Sequence, residues 1–221
     1  MSEGARPQPA PLVPLPARLA VLLSGRGSNF EALADGCDRG EVPARIVAVL
    51  SDRAEAAGLE KARAHGLAAH PVPRGAGESR PEHEARIDGI LREARADLVC
   101  LAGYMRLLSP EFVERWRLRI VNVHPALLPS FPGTDAQAQA LRYGVKVSGA
   151  TVHLVDAGVD SGPIVEQEAV TVFEDDTIES LSARILAVEH RIYPLAVRRI
   201  LEGGWILNVR SVQFPPSKIP L

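Results

Sequence analysis

The chain has 221 residues, 46% apolar and 24% charged, enough for one domain with a sizeable core. Its net charge of −2 excludes a broad basic face for nucleic acid or an anionic membrane, so any phosphate must be held locally. Cys37 and Cys100 give neither a disulfide framework nor a metal spacing, and no apolar run reaches the length of a membrane span, which points to a reducing, cytoplasmic setting.

The opening "MSEGARPQPAPLVPLPA" has prolines where a signal peptide would be apolar, so residues 1–16 read as a disordered Pro-rich tail and 17–221 as a single domain. "RLAVLLS" predicts a buried strand and "SNFEALADGCDRG" the helix after it. "ARIVAVLSD" and "AEAAGLEKARAHG" repeat that order, with Gly66 closing the helix. "LAAHPV" is a short, weaker strand. "RPEHEARIDGILREARA" is an amphipathic helix with Ile87, Ile90 and Leu91 on one face. "DLVCLAG" is a strand with Cys100 as a core thiol, and a short helix starts at Ser109-Pro110. "RIVNVH" follows. Apolar strands alternating with helices predict an α/β fold: a Rossmann-like, open, mostly parallel sheet with helices on both faces. After Gly133, "TDAQAQALRYG" reads as a helix closed by Gly144. "VKVSGATVHLVD" and "GPIVEQEAVTV" read as an antiparallel pair joined by "DAGVDSG". A long helix from Thr177, bent at Pro194, and a final strand "WILNV" complete the chain.

Ligands of open α/β sheets gather at the carboxyl ends of strands. "SGRGSN", Ser24 to Asn29, is such an end. Its glycines permit a tight turn, and the helix start at Ser28-Asn29 offers free N–H groups to an anion. The plain alternative is a tight turn with an N-cap. Gly25 and Gly27 begin a dinucleotide fingerprint, but Phe30 occupies its third glycine position. One phosphate is therefore expected rather than a nicotinamide cofactor. Asp52 reads as a polar strand end or a helix-entry residue.

"RIVNVHPALLPSFPG" carries Asn122 and His124 on one face of a strand, opposite Val121 and Val123. An amide can donate to a developing oxyanion, and a histidine can move a proton near neutral pH. An acid beside the histidine would fix its tautomer and raise its pKa. Asp160, between glycines in "DAGVDSG", is the candidate acid, with Asp156 competing. The plain alternative is a capped strand end. Pro125, Pro129 and Pro132 argue for a rigid site, and Leu128–Pro129 is a candidate cis bond. No nucleophile elbow is present. His124, His153 and His190 lack metal-ligand spacing, so no metal is expected.

"VLLSGRGSN", "LAGYMRLLSP", "NVHPALLPSFPG", "SGATVHLVDAGVDSGPI" and "EHRIYPL" together resemble the glycinamide ribonucleotide transformylases of purine synthesis, in family order, from about Arg18 to Trp205. The resemblance implies the formyltransferase fold and direct formyl transfer from 10-formyltetrahydrofolate, a co-substrate, to the glycinamide amine. It implies Asn122, His124 and Asp160 as the catalytic trio. Gly27, Ser28 and Asn29 would hold the substrate phosphate, and Glu189 the ribose. Arg80, Met105, Arg106, Leu107 and Leu108 would line the folate site together with Asn122. Asp156, Ala157, Gly158, Val159 and Asp160 would lie over the pterin. Asn122 and protonated His124 would face the reacting carbonyl, with Asp160 keeping His124 charged. Where many relatives carry a histidine-containing stretch after "FPG", this chain has "TDAQAQ", which removes Thr134 to Gln137 from the implied contacts.

The implied partners are the two small-molecule substrates, without nucleic acid or membrane, and the sequence leaves room for a homodimer. A formyltetrahydrofolate hydrolase, a methionyl-tRNA formyltransferase and a non-catalytic nucleotide-binding module are the competing readings. Relatives of the first carry an extra N-terminal domain, and those of the second a C-terminal tRNA-binding domain. The third has no use for Asn122, His124 and Asp160 together.

Overall fold

The structure is a computed structural model that describes Arg6–Pro7 and residues 13–214. Among the described residues ten strands form one sheet: β1 (Arg6–Pro7), β2 (Ala17–Leu23), β3 (Ala44–Ser51), β4 (Ala69–Pro71), β5 (Leu98–Leu101), β6 (Ile120–His124), β7 (Val147–Leu154), β8 (Ile164–Thr171), β9 (Ile206–Asn208) and β10 (Ser211–Gln213). Six helices connect them: α1 (Ser28–Asp38), α2 (Ala57–Ala64), α3 (Arg80–Glu93), α4 (Pro110–Arg115), α5 (Ala136–Tyr143) and α6 (Ile178–Glu202). The order across the sheet is β1-β9-β10-β8-β7-β6-β5-β2-β3-β4.

Strands β4, β3, β2, β5 and β6 run parallel, and β7 and β8 continue the sheet antiparallel, as the sequence pattern predicts. The final strand is longer in effect than "WILNV" suggests. The chain turns after β9 and returns as β10, antiparallel to β9 and parallel to β8. Of the stretch read as a tail, residues 1–5 and 8–12 lie outside the described residues, while Arg6–Pro7 pairs antiparallel with β9.

Alternation along the strands builds two cores. Leu19, Val21 and Leu23 of β2 face one core with α1, α2 and α6, while Ala20 and Leu22 face the other with α3 and α4. Each fully buried leucine contributes about 2 kcal/mol of apolar transfer. Phe30, at the third glycine position, is fully buried and meets the His65 ring edge-on, with centroids 5.9 Å apart. Cys100 is a buried core thiol.

Helix ends follow local chemistry. Ser79 and Glu82 form a capping box at α3, Thr177 and Ser180 another at α6, and Ser109 caps α4 with Pro110 in its first turn. Gly144 ends α5 in the left-handed conformation. Among the described residues no helix is long and apolar enough to cross a membrane.

The topology reverses at β2. The chain leaves it toward β3 and β4, then returns to its other side as β5 and β6. The carboxyl ends of β2 and β5 therefore lie side by side, joined by the Ser24 N–H donating to the Gly103 carbonyl at 3.0 Å.

Candidate active site

The loop from Ser24 to Asn29 leads directly into α1. Gly27 is its N-cap, at φ 75° and ψ 22°, and supplies no side-chain acceptor, so the first-turn N–H groups are left for a ligand. A Cβ on Gly27 would lie 2.6 Å from Gly58 Cα, and one on Gly58 2.6 Å from Leu23 Cδ2. The Gly58 N–H donates to the Gly25 carbonyl at 3.0 Å. The loop thus rests on the first turn of α2, a support the loop motif did not reveal; the glycine near the start of that helix was its sequence signal.

Asn29 and Glu189 meet at this end of the sheet, the Asn29 side-chain amide donating to Glu189 Oε2 at 2.8 Å. Both are buried. Burial pushes the Glu189 carboxyl above its ordinary range, and the Asn29 bond offsets only part of that. Asn29, the residue after Gly27 and Ser28, thus sits against Glu189.

A cleft of about 290 Å³ opens at the ends of β5 and β6. Its wall includes Arg80, Arg106, Leu107, Leu108, Asn122, Asp156, Ala157, Gly158, Val159 and Asp160. Met105 does not line it. Its side chain is exposed, and its N–H donates to Ser24 Oγ at 2.9 Å. Tyr104 and His153 also line the cleft. Burial pushes the Tyr104 phenol well up, keeping it a neutral donor.

Asp160 stands between two histidines. Its Oδ2 lies 3.3 Å from His124 Nδ1 and accepts from the Gly133 N–H at 2.7 Å; its Oδ1 lies 3.6 Å from His153 Nε2. Asp156 instead folds its own loop, accepting from Ser161 Oγ at 2.7 Å and the Gly158 N–H at 3.1 Å. The geometry selects Asp160 over Asp156 as the acid beside His124. Burial opposes the Asp160 charge, but His153, the Gly133 N–H and His124 together hold its pKa below the ordinary value.

His124 departs from expectation in two ways. Burial outweighs the help from Asp160 and the Phe131 carbonyl, and the nearby His153 adds to the lowering, so its pKa falls rather than rises. Its Nε2–H donates to the Phe131 carbonyl at 2.8 Å, so the ring faces the backbone turn, not the cleft. Asn122, His153 and Asp160 line the cleft instead. The Asn122 side-chain nitrogen lies 3.2 Å from His153 Nε2, and His153 Nδ1 lies 3.0 Å from the Leu154 carbonyl oxygen. Two imidazole nitrogens and a carboxylate thus converge, a place that accepts a proton. Among the described residues no group of three or more His, Cys, Asp and Glu could hold a metal ion.

The loop after β6 is held from behind. Leu128–Pro129 is cis, the Leu128 N–H donates to Thr151 Oγ1 at 3.0 Å, and Thr151 Oγ1 donates to the Ala126 carbonyl at 2.6 Å. Gln167 donates to the Leu128 carbonyl at 2.8 Å. Side chains of β7 and β8 share with the prolines the task of fixing this segment.

The family model for formyl transferases matches residues 17–197. A phosphoribosylglycinamide formyltransferase of Escherichia coli (strain K12) is 36% identical over 202 residues, covering 91% of this chain and 95% of the relative. The chain spans only 19% of a Bos taurus trifunctional purine biosynthetic protein adenosine-3, to which it is 45% identical over 191 residues. The crystal structure of glycinamide ribonucleotide transformylase 1 from Symbiobacterium toebii superposes with a TM-score of 0.87 at 50% identity, covering 90% of this chain and 93% of that one. A strand-end glycine loop, a polar Asn–His–Asp cluster and a family match across most of the fold agree: the chain belongs to the formyl transferase family.

Proposed function

We propose that the protein transfers the formyl group of 10-formyltetrahydrofolate to the amine of glycinamide ribonucleotide, a step of purine biosynthesis. The observation that carries the reading is Asp160 set between His124 and His153 on a cleft whose neighbouring strand end bears the glycine loop. The loop suits the ribonucleotide phosphate, Glu189 its ribose, and the Arg80–Arg106–Leu108 wall with the 156–160 loop the folate.

Holding both substrates in one cleft removes most of the entropy cost of their meeting. As the amine attacks the formyl carbon, the carbonyl oxygen gains negative charge. The Asn122 amide is the cleft-facing donor for it. His124 Nε2–H becomes a second donor where it exchanges its hydrogen bond to the Phe131 carbonyl for one to the oxyanion. The proton lost by the amine passes to the Asp160–histidine cluster and returns to the departing folate nitrogen. Asp160 stabilises the imidazolium formed in between.

The test is to incubate the protein with 10-formyltetrahydrofolate, with and without glycinamide ribonucleotide, and follow loss of the formyl group. Loss that requires the ribonucleotide is the expected result. Loss without it identifies a hydrolase, and no loss identifies a binding module; either outcome refutes the proposal.

A further inference from the structure

Arg106 stands at a junction. It lines the cleft described above and an adjoining cavity walled by Arg74, Arg80, His83 and Glu84. Its side chain is 38% exposed, and an arginine so placed would ordinarily sample several rotamers. Here one edge is fixed: Nε–H donates to Asp52 Oδ2 at 2.7 Å. Asp52 is buried, and its other oxygen, Oδ1, accepts from Ser24 Oγ at 2.5 Å. Ser24 Oγ in turn accepts from the Met105 N–H, one residue before Arg106. The serine hydroxyl has one hydrogen, which goes to Asp52, and one lone pair taken by Met105, so its orientation is set. Three chain segments meet in this network: the end of β2 beside the glycine loop, the end of β3, and the loop after β5.

We infer that Asp52 is a positioning residue of the folate cleft, which presents the guanidinium of Arg106 to the bound folate by holding its Nε. With Nε engaged, the plane of the guanidinium is set and its two terminal amino groups remain for an acceptor on the ligand. The cost of immobilising the side chain is met before the ligand arrives, so binding gains what an unanchored arginine would lose. The inference rests on folate as the ligand of this cleft.

Two variants of equal charge test it. Asp52→Asn keeps an acceptor, because a turned amide offers its oxygen to Arg106 and its NH2 to Ser24. Asp52→Ala keeps none. Binding of 5-formyltetrahydrofolate, a stable isomer of the donor, is measured by calorimetry. Asp52→Ala is expected to bind about tenfold more weakly than Asp52→Asn. In an Arg106→Ala background the two are expected to bind alike, within about twofold, since the effect runs through Arg106. Asp52→Ser, too short to reach the guanidinium, replaces the alanine variant if that does not fold. Equal binding of the two variants, or a difference that persists without Arg106, overturns the role of Asp52. A parent protein that binds no reduced folate overturns this inference and the folate reading together. A parent that binds it, with no difference between variants, overturns the inference alone.

Discussion

Asp160→Asn isolates charge from shape. The asparagine oxygen can still accept the Gly133 N–H, so the loop keeps that bond. What disappears is the negative charge 3.3 Å from His124 Nδ1. At an effective dielectric of about 20, that charge stabilises an imidazolium by about 5 kcal/mol. Losing even half of it from the transition state slows turnover about a hundredfold. The expected result is a fall in kcat of about two to three powers of ten, with the ribonucleotide KM within about threefold of the parent, because the glycine loop is untouched. Initial rates of ribonucleotide-dependent formyl loss, at saturating concentrations of both substrates, give the comparison. A kcat within about tenfold of the parent would refute the assignment of Asp160 as the group that stabilises the imidazolium.

Gly58→Ala places a Cβ 2.6 Å from Leu23 Cδ2 and 3.1 Å from Gly27 Cα, so stability in urea should fall by about 1–3 kcal/mol and the ribonucleotide KM should rise; an unchanged midpoint contradicts the close packing. Glu189 has a raised pKa in the folded state, so its contribution to stability is full below its unfolded value near 4.5 and is lost as pH rises through the folded value. Glu189→Gln should therefore raise the melting temperature at about pH 8 and not at about pH 4, while raising the ribonucleotide KM. His124 has a lowered pKa, so its contribution is full above its unfolded value of 6.5 and is lost as pH falls through the folded value. His124→Gln should flatten the decline in melting temperature between about pH 7 and pH 5; an identical profile would place that decline on other groups, such as His190, whose pKa burial also lowers.

Much of the parallel half was legible because its signals are local. Four apolar runs, each followed by a helix with a readable start or stop, became β2, β3, β5 and β6, and "SGRGSN" had one place to go once β2 was assigned. The His124 pKa was misread for a different reason. The sequence showed a partner, Asp160, but not the burial that surrounds both groups, and burial is the larger influence. Asp52 was undervalued in the same manner: its partners, Ser24 and Arg106, lie 28 and 54 residues away.

His153 shows where local reading ends. In β7, Ala150, Val152 and Leu154 enter the core that also takes Val121 and Val123 of β6. Thr151 and His153 must then face the side that holds Asn122 and His124. Both strands carry the same alternation, "NVH" and "TVH", so the polar face of each was visible. Their register was not, because it depends on where an antiparallel partner 31 residues away begins to pair. The structure sets Asn122 opposite His153 and His124 opposite Thr151, a two-by-two polar block. Pairing with β8 shifts register between Val152 and His153, at the step where the block meets the 156–160 loop. A slip of one residue would carry His153 and Thr151 to the core face together. The cleft would lose its histidine wall, and the loop after β6 the hydroxyl that anchors it. Site and core are therefore specified by the same alternation, and a substitution that shifts the register of β7 should cost activity and stability at once.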